Sequence, residues 1–106
     1  MSLLDAFTSS AAARQTAEIA QQVSRRSCAA VWHKVQARVL VMSEAQARGY
    51  IHAHAAEVVQ AEAARCGASI ERQQELVRLA RAAVVDTLVC EVARMQRTQM
   101  GRRRAA

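Results

Sequence analysis

The sequence predicts an all-α fold, because almost nothing in it would interrupt a helix. Its 106 residues include 24 Ala, only three Gly and no Pro. Ala is the best helix former, whereas Pro and Gly are the strongest breakers of a helical pattern. Apolar residues make up 52% of the chain and charged residues 23%, a balance typical of a folded protein. We therefore expect residues 1–106 to form a single helical domain.

Two predicted turns divide the chain into three predicted helices, at about residues 9–42, 44–66 and 70–99. Gly67 can adopt the left-handed conformation that closes a helix, and Ser69 can cap the helix that follows. Ser43 can cap the second helix, with Gln46 as its capping-box partner three residues later. Residues 1–8 are predicted to form an N-terminal arm, and residues 100–106 a basic flexible tail.

The first helix has an apolar stripe that changes phase. Ile19 lies nine residues before Cys28, which places the two about half a turn out of phase at 3.6 residues per turn. We therefore predict a bend or break near residue 25, within the segment 24–27; the alternative is that the first half of the helix packs against something else. A break there would give four helices instead of three. Because helices of about 30 residues would be ~45 Å long, the bundle should be elongated and antiparallel.

The third helix is apolar on nearly all sides between Ala82 and Ala93. A helix of this kind is buried on most sides, but an outer helix of a three-helix monomer has only two neighbours. The sequence therefore predicts a homodimer or higher oligomer that completes the bundle. Its predicted interface residues are Val84, Val85, Leu88, Val89 and Val92. Asp86 interrupts the segment, and we expect it to pair with an Arg of an adjacent helix rather than to bind a ligand.

The formal net charge is +6, from 14 Arg, one Lys and nine acidic residues. One explanation is an anionic partner such as nucleic acid. The other is coding by a GC-rich bacterial genome, which enriches Ala and Arg without a functional reason, and the spread of charge along the chain favours it. One local concentration could neutralise phosphates without reading a base sequence. It consists of Arg94, Arg97, Arg102, Arg103 and Arg104.

A small set of polar residues on the second helix is the best candidate for a ligand or metal site. Tyr50, His54 and Glu57 share one face of that helix, whereas His52 lies on the other side. A metal site would therefore need further ligands from elsewhere. The alternative is a helix–helix or subunit contact at which His54 is partly buried.

No segment carries a catalytic or cofactor signature, so the sequence predicts neither an enzyme nor a bound cofactor. Cys28 and Cys90 fit small core positions. Three widely spaced cysteines indicate a reducing compartment. Neither a secretory signal nor a membrane-spanning run is evident, so we expect a cytoplasmic protein without a membrane partner. The leading hypothesis is a small adaptor that self-associates through its third helix; the alternatives are the nucleic-acid binder and the ligand site above.

Overall fold

The computed structural model describes the backbone of residues 3–105 and the side chains of residues 11–102. Within that part of the chain it contains three α-helices and no β-strand: α1 (Leu3–Val39), α2 (Glu44–Ala64) and α3 (Ile70–Ala105). Each helix packs against both others, and the molecule is elongated, measuring 65 × 26 × 20 Å. The prediction of an all-α, elongated three-helix bundle is therefore confirmed.

Local hydrogen bonds set the two turns at the predicted places. The Ser43 hydroxyl accepts from the Gln46 N–H at 3.2 Å, and the Gln46 side chain accepts from the Ser43 N–H at 3.1 Å. Gly67 has a φ of +67°, which costs Gly nothing and closes the end of α2. The Ser69 hydroxyl accepts from the Arg72 N–H at 3.3 Å, within the first turn of α3.

The predicted break in the first helix is wrong, because α1 is helical without interruption through residues 24–27. Two serines continue the buried stripe there: Ser24 is 7% exposed and Ser27 is fully buried, between Val23 and Val31. In the sequence, the stripe appears discontinuous when only strongly apolar side chains are counted as its members. A fourth helix is therefore absent from the described residues, and α1 also includes residues 3–8, which we assigned to the N-terminal arm.

The buried residues of α2 and α3 repeat at intervals of four. Four residues turn an α-helix through about 400°, so the buried stripe advances by about 40° at each step and winds around the helix. Periods longer than 3.6 residues are those of right-handed supercoils, unlike the 3.5-residue period of a left-handed coiled coil. The buried rows are Ala47, Ile51, Ala55, Val59 and Ala63 in α2, and Leu76, Ala80, Val84, Leu88 and Val92 in α3.

The five residues predicted as an oligomer interface lie inside the core of a single chain. Val84, Val85, Leu88, Val89 and Val92 are each no more than 6% exposed. Because α1 and α2 sit side by side against α3, they cover a stripe two rows wide without a partner chain. A partner chain is therefore not needed to bury this stripe. The outward row of α3, by contrast, is exposed at every fourth residue from Ile70 to Arg102.

Because the three helices differ in length, one end of α1 and one end of α3 project beyond the bundle as single helices. At 1.5 Å per residue, α1 and α3 are each about 55 Å long and α2 about 31 Å. The chain runs up α1, down α2 and up α3, so α1 projects at one end of the bundle and α3 at the other. α3 continues through Gly101 to Ala105, into the segment predicted as a basic flexible tail. We call residues 97–105 the C-terminal extension.

Candidate functional site

The C-terminal extension begins directly after Gln96, which makes the last described side-chain hydrogen bond between α3 and another part of the chain. The Gln96 side-chain amide donates to the carbonyl oxygens of Leu40, at 3.0 Å, and Met42, at 3.2 Å. Every described side chain beyond it, at residues 97–102, is exposed. The extension is therefore not held helical by burial of its own side chains. The packed part of α3 before it supplies the helix nucleus, and the helix propensity of the extension continues the helix.

All the charge in the extension is positive. Arg97 and Arg102 are exposed, and no acidic residue follows Glu91 in the sequence. The backbone at Arg103 and Arg104 is helical, whereas their side chains lie outside the described residues. A guanidinium is always charged and can donate two parallel hydrogen bonds to a phosphate. The extension thus presents a short basic helix to solvent.

Arg94 differs from the other members of the predicted nucleic-acid contact. Its guanidinium forms a two-pronged ion pair with Glu91, in which Arg94 Nε lies 3.1 Å from Glu91 Oε2. Hydrogen bonding from Arg94 holds the pKa of the Glu91 carboxyl below its ordinary value. The charge of Arg94 is therefore already matched within α3, and the unmatched part of the predicted contact begins at Arg97.

Ion pairs also match arginines of α2 and α3 and the arginine that caps the end of α2. Arg65 pairs with Glu62 at 3.1 Å and Arg78 pairs with Glu75. Arg48 of α2 pairs with Asp86 of α3 at 3.0 Å, which confirms the salt bridge expected for Asp86. At least half of the Arg48 side chain and of the Asp86 side chain is exposed, so this ion pair contributes about 1 kcal/mol or less to stability.

The polar set on α2 is only partly brought together. The rings of Tyr50 and His54 meet edge to face, with centroids 4.6 Å apart and planes at 70°, and both residues are half-buried. Glu57 is exposed, as is His52 on the other edge of α2. Among the described residues, no three His, Cys, Asp or Glu side chains form a group that could hold a metal ion. Tyr50 and His54 thus form a packing contact.

The three cysteines are unpaired and differ in exposure. Cys28 is half-buried, whereas Cys66 and Cys90 are exposed. The core position predicted for Cys90 is therefore wrong, because that residue lies on the outward row of α3. Burial raises the pKa of the Cys28 thiol, and a hydrogen bond with Ser24 lowers it by a smaller amount. A raised pKa leaves little reactive thiolate at neutral pH.

Comparison with protein-family models, with curated proteins and with solved structures gives no match for this chain. Over the described residues, none of the three helices combines the length and the apolar character needed to cross a bilayer.

Proposed function

We propose that the chain is a non-catalytic nucleic-acid-binding protein that contacts the phosphate backbone through the C-terminal extension. The observation that carries this proposal is the exposed helix beyond Gln96, whose only described ionisable side chains are Arg97 and Arg102. Arginines on a helix hold their spacing better than those on a flexible chain, so less conformational entropy is lost on binding. Contacts of this type supply affinity without reading the base sequence.

The described aromatic side chains favour a duplex over a single strand. Proteins that bind single strands stack bases on exposed aromatic rings. Trp32 and Tyr50 are both half-buried and pack against the hydrophobic core. A basic helix without such a platform is suited to the densely charged duplex, which carries one negative charge per ~1.7 Å of its axis.

The self-associating adaptor has weaker support. Its main argument was the broad apolar stripe of α3, and the helices of the same chain bury that stripe. A dimer would have to use another surface, such as one including the exposed side chains of Val41 and Ile70. We therefore place nucleic-acid binding first and self-association second.

The test is a salt series of duplex binding with matched charge variants. The extension variant combines Arg97→Gln, Arg102→Gln and Arg103→Gln. The control variant also removes three positive charges, but from ion-paired positions: Arg48→Gln, Arg65→Gln and Arg78→Gln. The probe is a fluorescent 20-base-pair DNA duplex, and circular dichroism checks that each variant is helical.

Each phosphate contact contributes about 0.9 to the slope of log K against log salt concentration. We expect the extension variant to lower that slope by about 2–3 and to weaken binding at least tenfold at low salt. The control variant should bind nearly as the natural chain does. Failure of the natural chain to bind at low salt, or equal losses in both variants, would contradict the proposal.

A further inference from the structure

The outer face of α1 carries a second concentration of positive charge. The sequence has no acidic residue between Glu18 and Glu44, whereas this stretch contains five basic residues. All five side chains are exposed. We call them the α1 basic face: Arg25, Arg26, His33, Lys34 and Arg38.

None of these basic residues has an ion-pair partner among the described side chains, in contrast to several arginines of α2 and α3. Among the described side chains, 11–102, every ion pair involves one of four arginines: Arg48, Arg65, Arg78 and Arg94. None involves the α1 basic face. The sequence alone does not distinguish these residues from the ion-paired arginines.

Three residues of the α1 basic face form an ordered row. Arg26, Lys34 and Arg38 each directly precede a fully buried residue of α1, namely Ser27, Val35 and Val39. One residue corresponds to 100° of helical rotation, so the three cations follow one flank of the buried stripe. From Arg26 to Arg38 the row extends about 18 Å along the helix axis. A helix that packs against two neighbours presents such a row rigidly.

The α1 basic face and the C-terminal extension meet at the same end of the bundle. Arg38 lies one residue before the end of α1 at Val39. The Gln96 amide joins α3 to the carbonyl oxygen of Leu40, directly after that helix end. Cations on α1 thus lead toward the point where the extension leaves the bundle.

We propose that the α1 basic face is the second half of a continuous surface that binds the phosphate backbone of a nucleic-acid duplex. This inference rests on the proposed function and enlarges its site. A stiff row of cations suits a duplex, because the duplex is itself stiff and uniformly charged. Lipid headgroups fit less well: membrane-surface helices carry Trp, Phe or Leu beside their cations, whereas the exposed residues between these cations are Ala29, Ala30, Gln36 and Ala37.

The experiment uses the full chain with Arg26→Gln, Lys34→Gln and Arg38→Gln combined, beside the control variant of Arg48, Arg65 and Arg78. A double variant, Lys34→Gln with Arg38→Gln, is measured as well, so that a folding defect in the triple variant does not end the test. The probes are a DNA duplex and an RNA duplex of 20 base pairs, and vesicles containing anionic phospholipid. Circular dichroism checks helicity.

We expect the triple variant to lower the salt slope of duplex binding by about 2–3 and the double variant by about 1–2. If the natural chain binds, the extension variant is weakened and the α1 variants match the control, the inference is overturned and the proposed function stands. If the α1 variants are weakened and the extension variant matches the control, the contact at the α1 basic face stands alone, and both the continuous surface and the proposed contact at the extension are wrong. Binding to vesicles but to neither duplex would overturn both, as would a natural chain that binds no probe.

Discussion

The side-chain amide of Gln96 donates a hydrogen bond of 3.0 Å to the carbonyl oxygen of Leu40. Gln96 occupies the next position in the four-residue row that contains Leu88 and Val92, so it replaces an apolar side chain at the end of the core. Carbonyl groups at the end of a helix have no partner within that helix. The same amide also reaches the Met42 carbonyl, and Gln96 thereby ties α3 to the end of α1.

Gln96→Ala should destabilise the fold, because it leaves two half-buried carbonyl groups without their partner. Loss of such bonds costs about 1 kcal/mol, which corresponds to a melting temperature lower by roughly 4–8 °C for a domain of this size. Thermal unfolding followed by circular dichroism measures the change. Gln99→Ala is the control, since Gln99 is exposed. Equal melting temperatures for the two variants would show that the Gln96 contact is not stabilising.

Ser27→Ala should raise the free energy of unfolding. The Ser27 hydroxyl is fully buried, and its oxygen has no hydrogen-bond partner among the described residues. Removing an unsatisfied buried hydroxyl avoids a penalty of about 1–3 kcal/mol, and Ala has the higher helix propensity. Ser24→Ala is the comparison, because Ser24 lies on the same buried stripe but keeps 7% of its surface exposed. Urea unfolding decides the point, and a Ser27→Ala variant less stable than the natural chain would contradict the burial described.

Leu88→Asp should unfold the chain, whereas Thr87→Asp should leave it folded. Leu88 is 5% exposed and Thr87 is exposed. An unpaired charge in an apolar core costs several kcal/mol, out of a total stability of ~5–15 kcal/mol. Circular dichroism and light scattering report fold and mass together. A folded Leu88→Asp monomer beside a dimeric natural chain would restore the predicted oligomer interface.

The three cysteines should react with a maleimide or iodoacetamide at different rates. Cys66 and Cys90 are exposed, whereas burial raises the pKa of Cys28, and the thiolate is the reacting species. We therefore expect two modifications to precede the third in native protein near neutral pH, measured by mass spectrometry over time. Peptide mapping identifies the sites, and a denatured sample gives the reference in which all three react. Early modification of Cys28 would contradict its placement.

The turns could be predicted from the sequence because a few adjacent residues determine them. The Ser43 hydroxyl and the Gln46 amide satisfy each other across one turn, and a residue with positive φ is best supplied by Gly67. Neither feature depends on what the rest of the chain does. Local residues did not predict how far α3 extends. Gly101 costs only about 1 kcal/mol in a helix, which is too little to end the helix by itself.

The winding of the core could not be recognised by a search at 3.6 residues per turn. The row from Leu76 to Val92 repeats every four residues because helix crossing, a property of the whole bundle, decides which side is covered. Ser24 and Ser27 hide the same row in α1, since their hydropathy is that of surface residues. The acid-free stretch between Glu18 and Glu44 was visible in the sequence. The ion pairs that distinguish arginines elsewhere from the basic residues of this stretch are visible only in the structure.

The most direct test of the binding surface is an NMR titration of ¹⁵N-labelled protein with a short DNA duplex. We expect shifted amide signals at Arg26, Lys34 and Arg38 and from Arg97 to Arg102, and shifted side-chain signals of the arginines among them. Amides on the outward side of α2, such as those of Gly49 and Ala53, should not shift. Shifts confined to α2, or none at low salt, would contradict the central claim that unmatched cations of α1 and α3 bind the duplex.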